Sequence, residues 1–361
     1  MEKMVATKKL LSRYKNKKVF LTGHTGFKGS WLAFWLHQLG ANVKGYSLPP
    51  ERYQRLFEVI ESNHEIQSVF GNILHYQRLE KEMTDFQPDF VFHLAAQPLV
   101  RLSYEIPANT FEVNVVGTAN LLSAVRQLTN PCAVVIITTD KVYDNKEWEY
   151  PYRENDQLGG YDPYSASKAC AELVVASYRN SFFSPISSGM PIIRVASARA
   201  GNVIGGGDWA PDRIVPDCIR ALVEKRPISV RNPSSIRPWQ HVLEPLSGYL
   251  LLGLRLMESP SAGQAWNFGP QPEDHFPVID LVTKSISIWG EGNFETPPLP
   301  NQPHEAQVLK LDISKSIEQL QWHPRWNGSE AIERTIGWYF QFLNGKPAAE
   351  LMLNDINHFS N

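Results

Sequence analysis

The run Gly23-His24-Thr25-Gly26-Phe27-Lys28-Gly29 constrains this chain most, because of what flanks it. Before it stands a β-rich stretch, Lys18–Thr22; after it an apolar stretch opens Ser30-Trp31-Leu32-Ala33 and reads as a helix. A strand that turns through glycines directly into a helix lets another group approach its backbone closely. The first N–H groups of that helix are left free. Such a turn can hold a pyrophosphate, whereas three glycines without those flanks would mark only a tight bend. Gly23, Thr25, Gly26, Phe27, Lys28 and Gly29 are therefore candidate dinucleotide-binding residues, and His24 reads as a loop residue rather than a catalyst.

From Lys18 onward, short β-rich runs alternate with longer helical ones, the pattern of a parallel sheet covered by helices. Strands are expected at Lys18–Thr22, Val43–Tyr46, Ile66–Phe70, Asp89–Leu94, Ala133–Thr138 and Pro191–Val195. Helices are expected at Gly26–Leu39, Gln77–Asp85, Pro107–Gln127 and Pro163–Arg179, each bounded by Gly, Pro, Asn or Asp. The fold class is α/β: a Rossmann-type, doubly wound parallel sheet over residues 17–199, then a smaller, irregular lobe over 200–350 whose chain returns to the sheet. That lobe opens where Gly205-Gly206-Gly207 and clustered prolines break the rhythm, with helices expected near Asp212–Glu224, Pro245–Met257 and Ser329–Leu343. Ser181–Met190 reads as a surface loop, the basic leader through Lys18 as a solvated arm, and the last ten or so residues as weakly ordered.

A formal net charge of −2 in 361 residues provides no bulk attraction to nucleic acid or an anionic membrane, so bound phosphates must be held locally. No apolar window of about 18 residues reads as a membrane span, and the leader lacks a signal peptide's apolar core. Cys132, Cys170 and Cys218 form neither a disulfide framework nor a metal spacing, which fits a reducing compartment; no metal is expected.

The strongest chemical signal is Tyr164-Ser165-Ala166-Ser167-Lys168, preceded by Asp162-Pro163. Asp162 suits an N-cap and Pro163 a first helical position, so Tyr164 and Lys168 fall four apart on one helical face. An ordinary tyrosine titrates near ~10, but a neighbouring ammonium and a cationic nicotinamide would favour its phenolate as base for a sugar hydroxyl. The fifth strand ends in Thr138-Thr139-Asp140-Lys141-Val142-Tyr143, at the edge where open α/β sheets place their sites. Thr139 can hydrogen-bond a sugar oxygen, and Asp140 with Lys141 offers an acid–base pair. The fourth strand ends in His93-Leu94-Ala95-Ala96-Gln97, small enough for a cofactor to lie close. The second strand ends Gly45-Tyr46-Ser47-Leu48-Pro49 without the acid that usually binds a ribose, so Arg52 or Arg55 can compete for a 2′-phosphate. In the second lobe, Asn202–Trp209 and Arg231–His241 gather arginines and aromatics suited to a diphosphate and a base.

Together, the glycine turn, the Tyr-x-x-x-Lys pair and Arg199-x-x-Asn202-Val203-x-Gly205 resemble the extended short-chain dehydrogenase/reductase family over nearly the whole chain. Within it, Gly23–Leu32, Thr139–Tyr143, Tyr161–Lys168, Gly201–Trp209 and Arg237–Val242 resemble the nucleotide-sugar 4,6-dehydratases. Relatives acting on dTDP, GDP and UDP sugars carry Asp-Glu after the threonine. The Asp140-Lys141 found here points instead to the CDP branch and leaves the C5 base open. The resemblance implies NAD as cofactor, with Asn72, Ile73, Leu94, Ala95, Ala96, Gln97, Asn114, Thr138, Tyr164 and Lys168 joining the glycine turn around it. It further implies CDP-glucose or a related nucleotide sugar on Asn202, Arg213, Arg231 and Arg237, with Thr139, Asp140, Lys141, Tyr164 and Lys168 catalytic. The implied reaction is oxidation at C4, loss of water across C5 and C6 and hydride return to C6, in a cytoplasmic homodimer supplying deoxysugars for surface polysaccharide. A sugar-nucleotide 4-epimerase would share all but the need for Asp140-Lys141. A catalytically silent NAD-sensing regulator would need none of the five catalytic residues.

Overall fold

The computed structural model describes residues 10–51, 56–58, 66–183, 191–297 and 308–360. Strands β1 (Lys18–Thr22), β2 (Asn42–Ser47), β3 (Gln67–Phe70), β4 (Phe90–His93), β5 (Cys132–Ile137), β6 (Ile193–Ala200) and β7 (Ala265–Phe268) form one sheet. Every pairing in it is parallel, in the order β7-β6-β5-β4-β1-β2-β3. The order reverses between β1 and β4, which opens a crevice at their carboxyl ends. Alternation along the strands feeds two cores: Val19, Leu21, Phe90, Phe92 and Val135 face one, and Phe20, Val91, Val134 and Ile136 the other. Helices α1 (Phe27–Gln38), α2 (Tyr76–Phe86), α3 (Val100–Glu105), α4 (Pro107–Phe111), α5 (Gly117–Val125) and α6 (Pro163–Phe182) belong to the first part of the chain.

The second lobe adds α7 (Ile214–Val223), α8 (Leu243–Glu258), α9 (Val278–Trp289), α10 (Ser314–Leu320), α11 (Gly328–Leu343) and α12 (Ala348–Ser360). Ala265–Phe268 adds β7 as a seventh strand beside β6. Two-residue strands Val203–Ile204 and Gln240–His241 pair with each other, and Ile228–Ser229 pairs with Phe294–Glu295.

Four expectations need correction. β6 continues to Ala200 rather than stopping at Val195, because Ser197 and Arg199 are paired beneath the sheet edge and need no water. Pro107–Gln127 is not one helix: α4 passes through a π-helical turn, Glu112–Val116, before α5. The final residues are ordered as α12, with Leu351, Met352, Ile356 and Phe359 buried. α1 is apolar nearly all round, so its outer side needs a cover, and Phe359 meets Trp35 edge-on at 5.8 Å. The arm is not wholly solvated either: Tyr14 is fully buried and its hydroxyl donates to the Leu250 carbonyl at 2.7 Å, while Arg13 bridges Glu258. Its residues 1–9, and residues 184–190 of the expected loop, lie outside the described residues.

Beneath the crevice, α6 and β6 are joined by Glu172 and Arg199, each with a side chain 4% exposed. Arg199 donates from Nε at 3.0 Å and from Nη2 at 2.9 Å, while Thr138 and Ser197 donate their hydroxyls at 2.5 and 2.7 Å. Removing one charge of a buried pair strands the other, which typically costs about 3–5 kcal/mol. Glu172→Gln should therefore lose about that much stability in a denaturant titration, and a loss under about 1 kcal/mol would show that the pair is dispensable.

Candidate active site

A cavity of about 1030 Å³ opens over the carboxyl ends of the strands and runs from the glycine turn to the second lobe. Gly23 has φ +74°, and a Cβ there would come within 2.6 Å of the Ala95 backbone nitrogen. A Cβ on Gly29 would strike the Gly23 carbonyl at 2.0 Å. These two glycines let the turn, β4 and α1 close on one another. Gly26 differs: its Cβ would meet only the Gly23 carbonyl, at 3.4 Å, so the protein leaves that space clear. No side chain caps α1, and Thr25, Gly26, Phe27, Lys28 and Gly29 all line the cavity. A clear floor beneath an uncapped helix start suits a pyrophosphate.

Asn72, Ile73, Leu94, Ala95 and Ala96 continue the lining. Gln97 and Asn114 sit behind it, both buried. Asn114 Oδ1 accepts from the Gln97 backbone at 2.9 Å, and Nδ2 donates to the Gln97 carbonyl at 3.1 Å and to Ser167 Oγ at 2.8 Å. That amide clamps the loop after β4 to α6, one residue before Lys168, and the π turn places it there. Thr138 spends its hydroxyl on Glu172. At the other end, Ser47 Oγ lies 2.8 Å from Thr25 Oγ1, and Glu51 lines the cavity. Glu51 is a carboxylate beyond β2 that the search for an acid at the strand end passes over. Arg52 and Arg55 fall outside the described residues.

α6 begins as its sequence requires: Asp162 Oδ1 accepts from Ser165 N at 2.9 Å, with Pro163 in the first turn. Tyr164, Lys168, Thr139, Asp140 and Lys141 all reach the one cavity. Burial pushes the Tyr164 phenol up to about 12, opposed by a hydrogen bond with Thr139 and by the charge of Arg213. Burial also lowers Lys168 to about 7, helped by the ammonium of Lys28, and its Nζ donates to the Ile137 carbonyl at 3.2 Å. Desolvation thus outweighs the expected pull of Lys168 toward phenolate. Asp140 is 2% exposed; its Oδ1 accepts from Thr139 Oγ1 at 3.0 Å, whereas its buried Oδ2 has no hydrogen-bond partner among the described residues. Burial raises this carboxyl despite Lys141, Thr139, Arg237 and Lys28 beside it. A carboxyl so raised keeps its proton to higher pH, which suits an acid. Lys141 is half-buried, in the 3-10 turn Asp140–Val142.

Asn202, Arg213, Arg231 and Arg237 line the far wall. Arg213 Nη1 lies 2.8 Å from Asp208 Oδ2, and Arg231 Nη1 lies 2.9 Å from Asp212 Oδ1. Asp212 has φ +60°, an uncommon conformation for a residue with a Cβ, and also approaches Arg101 of α3 at 3.7 Å. Asp208 and Asp212 escape a search for cationic phosphate ligands; their only signal is that each stands within five residues of Arg213.

The family model described as GDP-mannose 4,6 dehydratase matches residues 20–335. A CDP-glucose 4,6-dehydratase of Salmonella typhimurium is 50% identical over 334 residues, 92% of this chain and 93% of that protein. A CDP-paratose 2-epimerase of Salmonella typhi is 25% identical, covering 89% of this chain and 98% of its own. Among solved structures, a dTDP-glucose 4,6-dehydratase of Streptomyces venezuelae with NAD bound superposes with a TM-score of 0.77 at 21% identity, over 90% of this chain and 97% of that one. That likeness speaks to the fold.

Gly26→Val should remain folded, because the protein leaves its Cβ room, and should lose dinucleotide affinity by at least tenfold. Calorimetric titration with NAD checks this; parental affinity in the folded variant would remove the turn from the cofactor site.

Proposed function

Because the chain belongs to the GDP-mannose 4,6-dehydratase family of extended short-chain dehydrogenases/reductases, we infer that it is an NAD-dependent hydro-lyase converting CDP-glucose to CDP-4-dehydro-6-deoxy-D-glucose. The observation that carries this over a 4-epimerase is Asp140: a buried carboxyl with one oxygen, Oδ2, unpartnered among the described residues, biased toward its acid form and in the same cavity as Tyr164. Epimerisation has no hydroxyl to expel and no use for such an acid.

In this reading, residues 17–199 hold the cofactor and 200–350 the nucleotide sugar. NAD held there would supply the acceptor for the C4 hydride and its return to C6, and its positive charge would oppose the burial of the phenol. Glycines 23, 26 and 29 with the first turn of α1 would hold its pyrophosphate, and Glu51 would serve its ribose. Asn202, Arg213, Arg231 and Arg237 hold the substrate diphosphate as charge-assisted donors. Tyr164 takes the C4 hydroxyl proton, with Thr139 hydrogen-bonded to the phenol and Lys168 fixing the charge below it. The C4 ketone acidifies C5–H; Lys141 removes that proton, and Asp140 gives its own to the departing C6 hydroxyl. One water is lost. Hydride at C6 and a proton at C5 complete the product.

Two further readings attach to this one. Tyr104, Phe111 and Val116 on the α3 to π-turn segment and Leu173 on α6 are exposed apolar side chains on elements packed against each other. The same face of a second copy covers them in a homodimer, which light scattering would report as twice the 40.9 kDa chain mass. No helix among the described residues is long and apolar enough to cross a membrane. A cytoplasmic supply of deoxysugars for surface polysaccharide fits that observation.

Incubation with CDP-, dTDP-, GDP- and UDP-glucose should remove one water from the CDP sugar in clear preference; inverted C4 at unchanged mass would instead mark an epimerase. Tyr164→Phe should lower turnover by ~10²–10⁴-fold at the oxidation step. Lys141→Met should oxidise C4 yet slow elimination, so that a 4-keto sugar accumulates without solvent deuterium at C5. Normal C5 exchange in Lys141→Met would exclude it as the base.

A further inference from the structure

The cavity extends past the diphosphate arginines, and its far end must hold the nucleobase once the sugar sits at Tyr164 and Asp140. There the lining passes from Arg213 onto the first turn of α7 and reaches Asp217, with Ser229 and Asn232 on the neighbouring strand and loop. Asp217 N donates to the Arg213 carbonyl at 2.9 Å, so the two residues stand one turn apart, a rise of about 6 Å. Because the Arg213 side chain extends that step toward the phosphates, the two residues can meet opposite ends of a nucleotide, its phosphate and the outer edge of its pyrimidine. Asp217 is held in place: its Oδ1 accepts from Arg220, whose guanidinium also donates to the Trp209 carbonyl at 3.1 Å. Its side chain is 34% exposed, so a carboxylate oxygen can still be reached from the cavity. Arg231 contributes a positive charge nearby and Asp212 a negative one.

We propose that Asp217 is the residue that selects cytosine, its carboxylate accepting a hydrogen bond from the 4-amino group. Cytosine differs from uracil and thymine at this edge: it offers N–H donors at C4 where they offer a carbonyl oxygen. A carboxylate has only acceptors, so it rewards the amine and repels the carbonyl. Ser229 and Asn232 carry groups that can donate as well as accept, so neither makes that distinction by itself. A site built to pair with one polar group discriminates against its analogue strongly, because the mismatched partner leaves a buried group unpaired. The diphosphate arginines cannot supply this choice, since every nucleotide sugar presents the same diphosphate to them.

The proposal rests on CDP-glucose being the substrate, and the wild-type panel of four nucleotide sugars tests that reading separately. Given a CDP preference, Asp217→Asn is the informative change, since an amide can turn either its oxygen or its N–H to the base. It should reduce the ratio of kcat/KM for CDP-glucose over UDP-glucose by about 10–100-fold, mainly through KM, with C4 chemistry on bound substrate retained. A purely structural role, holding Arg220, would lower both substrates together and leave the ratio unchanged; that outcome overturns the proposal. A ligand-side measurement avoids any doubt about folding. Wild-type protein should bind CDP at least tenfold tighter, by calorimetry, than the diphosphate of the 2-pyrimidinone riboside, which has hydrogen in place of the 4-amino group. Equal affinities would also overturn it.

Discussion

The buried pair of Glu172 and Arg199 is the interaction on which the site depends. It lies one helical turn beyond Lys168 on α6 and ties that helix to β6, while Thr138 brings the end of β5 onto the same carboxylate. Arg199 reaches further, donating to Tyr143 Oη at 2.9 Å, and Tyr143 Oη donates to Asn267 of β7 at 2.7 Å. Four elements from distant parts of the chain are thus registered by one ionic centre whose carboxylate oxygens and guanidinium are well supplied with partners. Ion pairs this deep rarely gain much over an apolar substitute, but they tolerate few alternative arrangements. Tyr164, Lys168, Thr139 and Asp140 stand on those elements, so their spacing is inherited from the pair below.

The opposite face of the sheet reaches rigidity by other means. Gly23 and Gly29 permit backbone contacts that a Cβ would forbid, which brings the start of α1 against the end of β4. α1 then carries Trp31, Leu32, Phe34, Trp35 and Leu36, all buried, and must be enclosed on every side. Trp31 donates its indole N–H to the Gly206 carbonyl at 2.9 Å, joining the helix that follows the glycine turn to the later part of the chain. The segment that lines the far wall of the cavity therefore rests on the helix that follows the glycine turn.

Much of this was legible in the sequence wherever local pattern decides structure. Six strands, the glycine turn and the Asp162-Pro163 start of α6 follow from apolar alternation, glycine spacing and capping, which act over a few residues. Features set by distant partners were not legible. β6 looks finished at Val195 because Ser197 and Arg199 read as polar, and only Glu172 makes them a strand interior. The π turn follows from a clamp between Asn114 and Gln97, seventeen positions apart. α12 needed α1 to be recognised as a helix without a solvent face. In the site, the residue types at Tyr164, Lys168, Asp140 and Lys141 were evident, but not the order of proton affinities, which burial controls.

Burial sets that order across the whole cavity. An overall charge of −2 conceals a cavity lined by Lys28, Lys141, Lys168, Arg213, Arg231 and Arg237. Burial lowers Lys28 to about 8 and Lys168 to about 7, each disfavoured further by a neighbouring cation. The same burial raises Asp140 and lifts Tyr164 to about 12. Desolvation therefore biases every one of these groups toward its neutral form: the carboxyl and phenol release protons less readily, and the amines more readily, until other charge in the cavity opposes it. A site that must take a proton at one sugar oxygen, deliver one at another and leave both diphosphates bound cannot rely on fixed charges alone. Here Lys28, Lys168, Asp140 and Tyr164 are all biased by burial toward their neutral forms, while Arg213, Arg231 and Arg237 line the far wall of the same cavity.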